Sequence, residues 1–263
     1  MRIDFMTIIG ATVGLGVILF VLIVSDMVQF LLNPEAIVLI FGGTLGSVLI
    51  SYPASALRHI PSAVKMMVIP PKRPQPNHLI STFVRLSEKA RRQGIDSLGT
   101  ELKSLPHPFM QDCIQMLLDG LDKGTVAERC RRDILATRHR HDQISGVFRS
   151  AGTFAPIFGL LGTLIGVVAV LKNISTPSLI GRKMAVAMTA SFYGIFAANF
   201  LFLPISNKLT FYSDEEVLAR ELIAQGILAM QDGEAPWLIA KKLEAYLTFE
   251  LRRSGAKDYQ VPS

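Results

Sequence analysis

Small and hydroxyl side chains within two long apolar segments, residues 150–171 and 184–203, are the best candidates for a functional surface. Neither segment contains Asp, Glu, Lys or Arg. Small residues at helical spacing favour close helix packing, and hydroxyl oxygens can line the path of a cation. The surface could therefore pack a partner helix or line an ion path, although no carboxylate within it could carry the ion. Its members are Pro156, Gly159, Gly162, Thr163 and Gly166 in the first segment, and Thr189, Ala190, Ser191, Tyr193, Gly194 and Ala198 in the second.

Four apolar runs approach the length of about 20 residues that a helix needs to cross a bilayer. They are residues 5–24, 36–52, 150–171 and 184–203. Hydrophobic residues make up 50% of the 263 residues, and the mean hydropathy is +0.39. The sequence therefore predicts an all-α, polytopic membrane protein with four transmembrane helices and a helical cytoplasmic domain. We expect the first run to stay in the mature chain, because Arg2 alone does not make the basic region of a signal peptide.

The distribution of basic residues predicts the orientation of the chain. Lys and Arg are absent from residues 25–35 and abundant in residues 53–149, which places the long segment and both termini in the cytoplasm. The connection 172–183 disagrees, because it should then be external and yet carries three basic residues. These are Lys172, Arg182 and Lys183. The net charge of +6 fits membrane lipid as a partner better than nucleic acid, since many Lys and Arg residues lie near the spans.

Composition divides the chain into four predicted parts. The segment after the second span is too long for a linker, and apolar residues at helical spacing predict a helical domain there that packs with the tail. The parts are residues 1–52 with the first two transmembrane helices and a short external loop, 53–149 as a cytoplasmic helical domain, 150–204 with the third and fourth transmembrane helices, and 205–263 as cytoplasmic helices.

Two hydroxyl residues followed three positions later by Glu predict helix starts. The pairs Thr125 with Glu128 and Ser213 with Glu216 have this capping-box pattern. No helix breaker follows Thr125 until Gly146, so we expect a long helix that continues into the third span.

A series of motifs runs through the chain in order. They are Asn33-Pro34 with Gly42-Gly43-Thr44, Gly152-Thr153-Phe154-Ala155-Pro156 with Gly162-Thr163-Leu164-Ile165-Gly166, Ala185-Val186-Ala187 with Tyr193-Gly194, Pro204-Ile205-Ser206-Asn207-Lys208-Leu209, and a tail pattern between Glu221 and Leu247. Together they resemble the MotA/PomA family of flagellar stator subunits, with matching loop sizes over essentially the whole chain.

The resemblance implies a function and an assembly. Five copies would surround two copies of a MotB- or PomB-type subunit, whose transmembrane helix supplies the ion-carrying Asp, in the bacterial inner membrane. Inward flow of protons or sodium would drive rotation, with torque passed to the rotor switch protein FliG through residues 53–149. No enzyme activity and no cofactor beyond the transported ion are expected.

The resemblance also assigns residues to the ion path. Thr163 occupies the position where sodium-driven members carry Thr and many proton-driven members carry Ala. Ala190 occupies the second position facing the partner's Asp, where sodium-driven members tend to carry Thr, and Ser191 follows it. Pro156 and Tyr193 complete the predicted path. The coupling ion stays open, and a hydroxyl in a span often bonds only its own helix.

Two prolines are predicted helix hinges. Pro156 and Pro204 match the prolines at the cytoplasmic ends of the family's pore helices, where the missing backbone donor can set the helix angle. The alternative for either proline is a plain helix boundary.

Charged residues in the long segment match the family's rotor-facing surface. Arg91 and Arg92 align with its basic part, whereas the acidic position falls on Gly99 in this chain. Glu101 is the nearest acid and could replace it. The alternative is an ordinary solvated helix face.

The sequence fits other classes of membrane protein less well than it fits a stator subunit. An ExbB/TolQ-type energiser shares the pentameric plan but typically has three spans, and a transporter should show charged or broken-helix sites at mid-membrane. We find no acid–base pair or nucleophile for catalysis, and His139 and His141 do not share a helix face, so no metal site is predicted. Cys113 and Cys130 lack metal-ligand spacing, and we expect both to be core residues.

Overall fold

The computed structural model shows a chain built from helices, with no strand among the residues it describes. These residues are 4–26, 28–31, 33–69 and 74–247. The predicted all-α fold is confirmed for them. Lys72, Arg73 and the last part of the predicted tail, residues 248–263, lie outside the described residues.

Eight main helices are labelled here in chain order. They are α1 (Phe5–Val24), α2 (Pro34–Ser51), α3 (Ile60–Val68), α4 (Pro76–Gln93), α5 (Pro108–Leu118), α6 (Lys123–Lys172), α7 (Pro177–Phe196, continuing through Ala197–Phe202 and Leu203–Gln231) and α8 (Pro236–Leu243). A 3₁₀ segment, Ile95–Ser104, connects α4 to α5.

Four of these helices, α1, α2, α6 and α7, are long and apolar enough to cross a membrane. The prediction of four membrane helices is confirmed at this level. The first begins at Phe5 because the Asp4 carboxylate accepts hydrogen bonds from the backbone N–H groups of Met6, at 3.1 Å, and Thr7, at 3.4 Å. The long helix expected before the third span is also present, since α6 continues without a break through Gly146 and Pro156.

Two of the candidate membrane helices contain a π-helical segment. In α2 it covers Val38–Gly42, and in α7 it covers Ala197–Phe202. A π segment accommodates an extra residue in a helical turn and is frequently found at functional sites. Neither was predicted, because the apolar periodicity on both sides of each segment is ordinary.

The predicted start of α6 at Thr125 is wrong by one turn. Asp122 is the capping residue, because its carboxylate accepts hydrogen bonds from the Thr125 backbone N–H at 2.9 Å and from the Thr125 hydroxyl at 2.6 Å. Glu128 pairs with Arg131 and Arg132 instead of reaching back to the helix start. The carboxylates of Asp122 and Glu128 are both possible acceptors for the Thr125 N–H, and the Asp122 carboxylate accepts it.

The predicted helix start at Ser213 is also wrong, because α7 runs through this residue without a break. Ser213 is buried, and the apolar stripe continues on either side through Leu209 and Val217. The helix ends at Gln231, and Gly233 follows with a φ of +69°, a left-handed conformation that favours glycine.

The chain forms two compact units, and α6 and α7 each have residues in both. The spanning unit contains residues 1–71 and 141–211, and the loop-and-tail unit contains residues 72–140 and 212–263. The four functional parts predicted from the sequence remain a prediction.

Glycines bring aromatic rings close to the helix backbones in the spanning unit. A Cβ added at Gly14 of α1 would lie 2.4 Å from the ring of Phe200 in α7. A Cβ added at Gly43 of α2 would lie 2.4 Å from the ring of Phe158 in α6. Each glycine therefore permits a contact that an alanine would crowd.

Polar contacts join the helices of the spanning unit at one end. The buried Ser206 hydroxyl donates a hydrogen bond to the backbone carbonyl of Ser145 at 2.9 Å. Lys208 of α7 donates to the Asp4 carboxylate and to the Thr7 hydroxyl. These contacts fix the start of α1 against α7.

The loop-and-tail unit has its own hydrophobic core. Leu79 and Phe83 of α4, Ile114 of α5, Ile227 of α7 and Ile239 of α8 are all completely buried in one cluster. Cys113 and Cys130 belong to the same cluster, with 3.2 Å between their sulfur atoms, so their predicted role as core residues is confirmed.

A polar network crosses the same unit next to that core. Arg220 donates to Glu216 at 3.0 Å, pairs with Asp133, and places its guanidinium carbon 5.1 Å from the ring centre of Phe109. His107 accepts a hydrogen bond from the Phe109 N–H at 3.1 Å and so caps α5. The network satisfies charges that would otherwise be costly to bury.

The capping role of Asp122 can be tested by substitution. We expect Asp122→Ala to lower the free energy of unfolding by about 1 kcal/mol, because two polar groups at the start of α6 lose their acceptor. Asp122→Asn should retain most of this stability, since an amide oxygen can still accept. Thermal unfolding followed by the fluorescence of Trp237, the single tryptophan, measures both variants.

Glu128→Ala is the control, because it removes the acceptor of the capping pattern that the structure rejects, which Gln would retain. The exposed ion pairs of Glu128 with Arg131 and Arg132 contribute little, so a larger loss for Glu128→Ala than for Asp122→Ala would restore the start at Thr125.

Candidate functional site

Helices α6 and α7 cross where neither has room for a side chain. A Cβ added at Gly194 would lie 2.6 Å from the carbonyl oxygen of Ala155. A Cβ added at Gly159 would lie 3.1 Å from the carbonyl oxygen of Ala190. The two backbones are therefore in direct contact, as in the close crossings that small residues allow in membranes.

The predicted GxxxG pair extends this crossing. A Cβ added at Gly162 would lie 2.4 Å from the Cβ of Ala190, and one added at Gly166 would lie 2.4 Å from the Cβ of Ala187. Much of the small surface identified in the sequence thus packs α6 on α7 of the same chain.

Thr163 is half-buried, about 40° around α6 from Gly159 and so at the edge of the crossing face. Its hydroxyl donates a hydrogen bond to the Leu160 carbonyl at 2.6 Å. This contact uses the hydroxyl proton only, so the oxygen keeps lone pairs that could face a cation. Thr163 therefore has both the internal bond considered in the sequence analysis and an oxygen available at the surface.

The other predicted ion-path residues have different surroundings. Ala190 is 1% exposed against Gly162 and borders a cavity of about 250 Å³ between α2, α6 and α7. Ser191 is half-buried, and the Tyr193 hydroxyl donates to the backbone carbonyl of Leu31. Thr163, Ser191 and Tyr193 are all half-buried. The assignment of all of them to an ion path remains a prediction.

The two predicted hinge prolines lie at different kinds of position. Pro156 is well inside α6, where it leaves the Gly152 carbonyl without its usual helical donor. Pro204 lies two residues after the end of the π segment Ala197–Phe202, and the helix continues beyond it. Pro204 therefore marks a change of helix type rather than a helix end. A hinge at either proline remains a prediction.

Glu101 is held by two basic residues of α4. Its carboxylate accepts hydrogen bonds from Arg85 at 2.8 Å and from Lys89 at 2.9 Å. The hydrogen bond from Arg85 and then that from Lys89 lower the pKa of Glu101 from 4.5 to about 2. Glu101 is thus ionised and already paired within the chain. The sequence analysis identified Glu101 but did not identify Arg85 and Lys89 as its partners. Both lie on α4, the helix that precedes the 3₁₀ segment.

Arg91 and Arg92 are exposed in the last turn of α4. Among residues 4–26, 28–31, 33–69 and 74–247, no carboxylate lies within ion-pair distance of either guanidinium. Glu101 does not contact them, so it does not pair with the basic residues that it was expected to accompany. Both arginines are available to an external partner.

Comparison with known proteins covers nearly the full length of the chain. Residues 101–222 match the family model described as the MotA/TolQ/ExbB proton channel family. The chain is 34% identical over 245 residues to the chemotaxis protein PomA of Vibrio alginolyticus, covering 93% of this chain and 95% of PomA. The chain belongs to the MotA/PomA family.

Two further comparisons support this assignment. Motility protein A of Cereibacter sphaeroides is 36% identical over 240 residues, covering 89% of this chain and 93% of that protein. The structure of the flagellar MotAB stator complex from Bacillus subtilis contains a similar chain, with a TM-score of 0.83, 29% identity, and coverage of 96% of this chain and 98% of that one. A full-length MotA/PomA match favours a stator subunit over an ExbB/TolQ-type energiser.

Membership in the MotA/PomA family places the chain among ion-channel stator subunits rather than among enzymes. Within the described ranges, no group of three His, Cys, Asp or Glu side chains is arranged to hold a metal ion.

The ion pairs of Glu101 predict a pH dependence. Because the pKa of Glu101 is lower in the folded chain, its contribution to stability is complete above about pH 4.5 and is lost as the pH falls towards about 2. We expect Glu101→Gln to lower the thermal midpoint slightly at pH 7, with a smaller difference from wild type at pH 3. Thermal unfolding at several pH values measures this.

Glu88→Gln provides the matched control, because Glu88 lies on α4 without an ion pair to any residue that the structure describes. If the two variants lowered the midpoint equally at pH 7, the pairing of Glu101 with Arg85 and Lys89 would contribute nothing.

Proposed function

We propose that the chain is the ion-conducting subunit of a bacterial flagellar stator. Five copies surround two copies of a MotB- or PomB-type subunit in the inner membrane, with both termini and the loop-and-tail unit in the cytoplasm. Inward flow of protons or sodium drives rotation, and torque passes to the rotor protein FliG. The observation that carries the proposal is the half-buried hydroxyl of Thr163, whose hydrogen bond is exposed, within four predicted spans that contain no Asp or Glu.

The missing carboxylate supports the need for a partner. The predicted spans 5–24, 36–52, 150–171 and 184–203 contain no Asp or Glu. An ionisable residue inside a membrane is costly and is usually functional, so the group that carries the ion must come from another chain. The Bacillus subtilis relative is known as part of a MotAB complex, which provides a partner of this kind.

The exposure of α1 supports assembly with further copies. None of the residues in its apolar window is buried within the single chain. In a membrane, helices associate through packing and not through hydrophobicity alone, so α1 has surface free for lipid or for a neighbouring subunit. A pentamer covers part of this surface.

The nature of the coupling ion depends on Thr163 and Ala190. The Thr163 oxygen can replace one water of a sodium ion, which favours sodium. Ala190 provides no oxygen and is covered by Gly162, which leaves the second position without a ligand. We therefore propose sodium as the coupling ion, with the proton-driven version of the same stator as the alternative.

Substitution of Thr163 tests the ion path. We expect Thr163→Ala to reduce sodium-driven rotation about tenfold, the equivalent of about 1.4 kcal/mol for one lost contact between the ion and an oxygen. Proton passage should change far less, because a proton can move along water. Rotation is measured with the partner subunit co-expressed, across sodium concentrations at fixed pH.

Thr153→Ala is the matched control, since Thr153 is an exposed threonine of α6 that also bonds its own helix, at 3.2 Å from the Arg149 carbonyl. A motor that ignores sodium in wild type and in Thr163→Ala would exclude sodium as the coupling ion. A motor without ion-dependent rotation would contradict the proposed function itself.

Substitution of Arg91 tests the rotor surface. We expect Arg91→Glu to reduce torque severalfold while leaving pentamer yield unchanged, because an exposed charge contributes little stability but strongly affects partner choice. Torque is measured by bead rotation in a strain without other stators, and the yield by native mass spectrometry.

Arg129→Glu is the control, because Arg129 is also exposed in the loop-and-tail unit but lies on α6. Equal torque in wild type and Arg91→Glu would identify Arg91 as part of an ordinary solvated helix face.

A further inference from the structure

A long apolar groove lies between α1 and α7, near the connection 172–183. Its volume is about 640 Å³. Val21 and Leu22 line it from α1, and Met184, Met188 and Phe192 line it from α7. The groove therefore lies along two candidate membrane helices, and Ser25 after α1 and Gly181 near the start of α7 also line it.

Polar groups inside the groove are few and mostly occupied. The Thr189 hydroxyl donates to the Ala185 carbonyl of its own helix at 2.7 Å. Ser25 lies at the end of the groove, immediately after α1. The interior suits hydrocarbon, and its polar end suits the junction between an acyl chain and a headgroup.

Arg182 directly follows Gly181, which lines this groove. With 3.6 residues per turn, Gly181, Met184 and Met188 share the face of α7 that borders the groove. Arg182 follows Gly181 by about 100° around the helix, at the edge of that face. Lys183 lies a further step around and lines a different cavity, the one that it shares with Glu35.

The guanidinium of Arg182 is exposed and has no carboxylate partner within the part of the chain that the structure describes. Arg182 also belongs to the three basic residues that disagree with the positive-inside rule. The presence of Arg182 on the side where the rule expects few basic residues, beside an apolar groove, is explained if this arginine binds an anion at the membrane surface.

We propose that the groove binds one anionic phospholipid. One acyl chain lies along the groove between α1 and α7, and the Arg182 guanidinium binds the phosphate. Guanidinium and phosphate carry opposite charges and form paired hydrogen bonds. This geometry distinguishes an arginine from a lysine at the surface. The site depends on the membrane position of α1 and α7 and is independent of the ion path at Thr163.

The test uses the full chain purified with its partner subunit in nanodiscs containing equal parts of phosphatidylglycerol and phosphatidylethanolamine. After transfer to detergent, native mass spectrometry measures the lipid retained on each complex. We expect phosphatidylglycerol to be retained preferentially by wild type. Arg182→Gln should reduce that retention about fivefold, the equivalent of about 1 kcal/mol for a base near a charged lipid.

Lys183→Gln is the matched control, because it removes the same charge one residue away on the other side of α7. A second variant, Ala185→Phe, fills the groove and should release the lipid without altering charge. Its control is Ile195→Phe, at an exposed position of α7 that does not line the groove.

Three results would overturn the proposal. They are equal retention of both lipids by wild type, unchanged retention in Arg182→Gln and Ala185→Phe, and a structure of the assembled complex in which a neighbouring subunit fills the groove.

Discussion

The spanning unit depends on the contact between the backbones of α6 and α7. At Gly159 and Gly194 the two helices approach so closely that even a methyl group would meet a carbonyl oxygen. Lipid tails are as apolar as leucine side chains, so burying apolar surface between two membrane helices gains little. The association of these helices therefore depends on close packing. The glycines are therefore required by the crossing, and Thr163 is left half-buried at the edge of it, with its hydroxyl bonded to the Leu160 carbonyl.

Much of the fold could be predicted from the sequence because the signals are long and repetitive. Apolar length alone located the spans, and for α1 the predicted and observed limits agree at Phe5 and Val24. Glycine marks a helix end at Gly94, where a φ of +82° follows the last residue of α4. These signals depend on local geometry that few other parts of the chain can override.

Features that depend on competition between neighbours could not be predicted. The pattern at Thr125 was a valid capping signal, but Asp122 lies closer to the free amides. The pattern at Ser213 was equally valid, yet the apolar stripe of α7 continues through it. Likewise Glu101 could be recognised as an acid near Arg91, whereas its bonds to Arg85 and Lys89 depend on how the 3₁₀ segment folds back on α4.

The candidate site shows the same division. The type and spacing of the small residues indicated a close helix contact, and that contact exists. Spacing alone did not predict which of those residues are buried in the contact. Gly162 and Thr163 are adjacent in sequence and differ in direction only by a rotation of about 100° around α6. Ala190 and Thr163 were grouped as one pair, but Ala190 is covered by Gly162.

The π segment Ala197–Phe202 has a consequence for how α7 can vary. Gly194 lies on one side of it, where α6 crosses, and Lys208 lies on the other side, where Asp4 is bound. An extra residue in an α-helix would rotate everything beyond it by about 100°, but the widened turn accommodates that residue within a single turn. The segment therefore keeps Lys208 directed at Asp4 with one residue more between the two contacts than an α-helix would hold. Deleting one residue of the segment would restore an ordinary α turn and keep both contacts, whereas a deletion outside it would turn Lys208 away from Asp4.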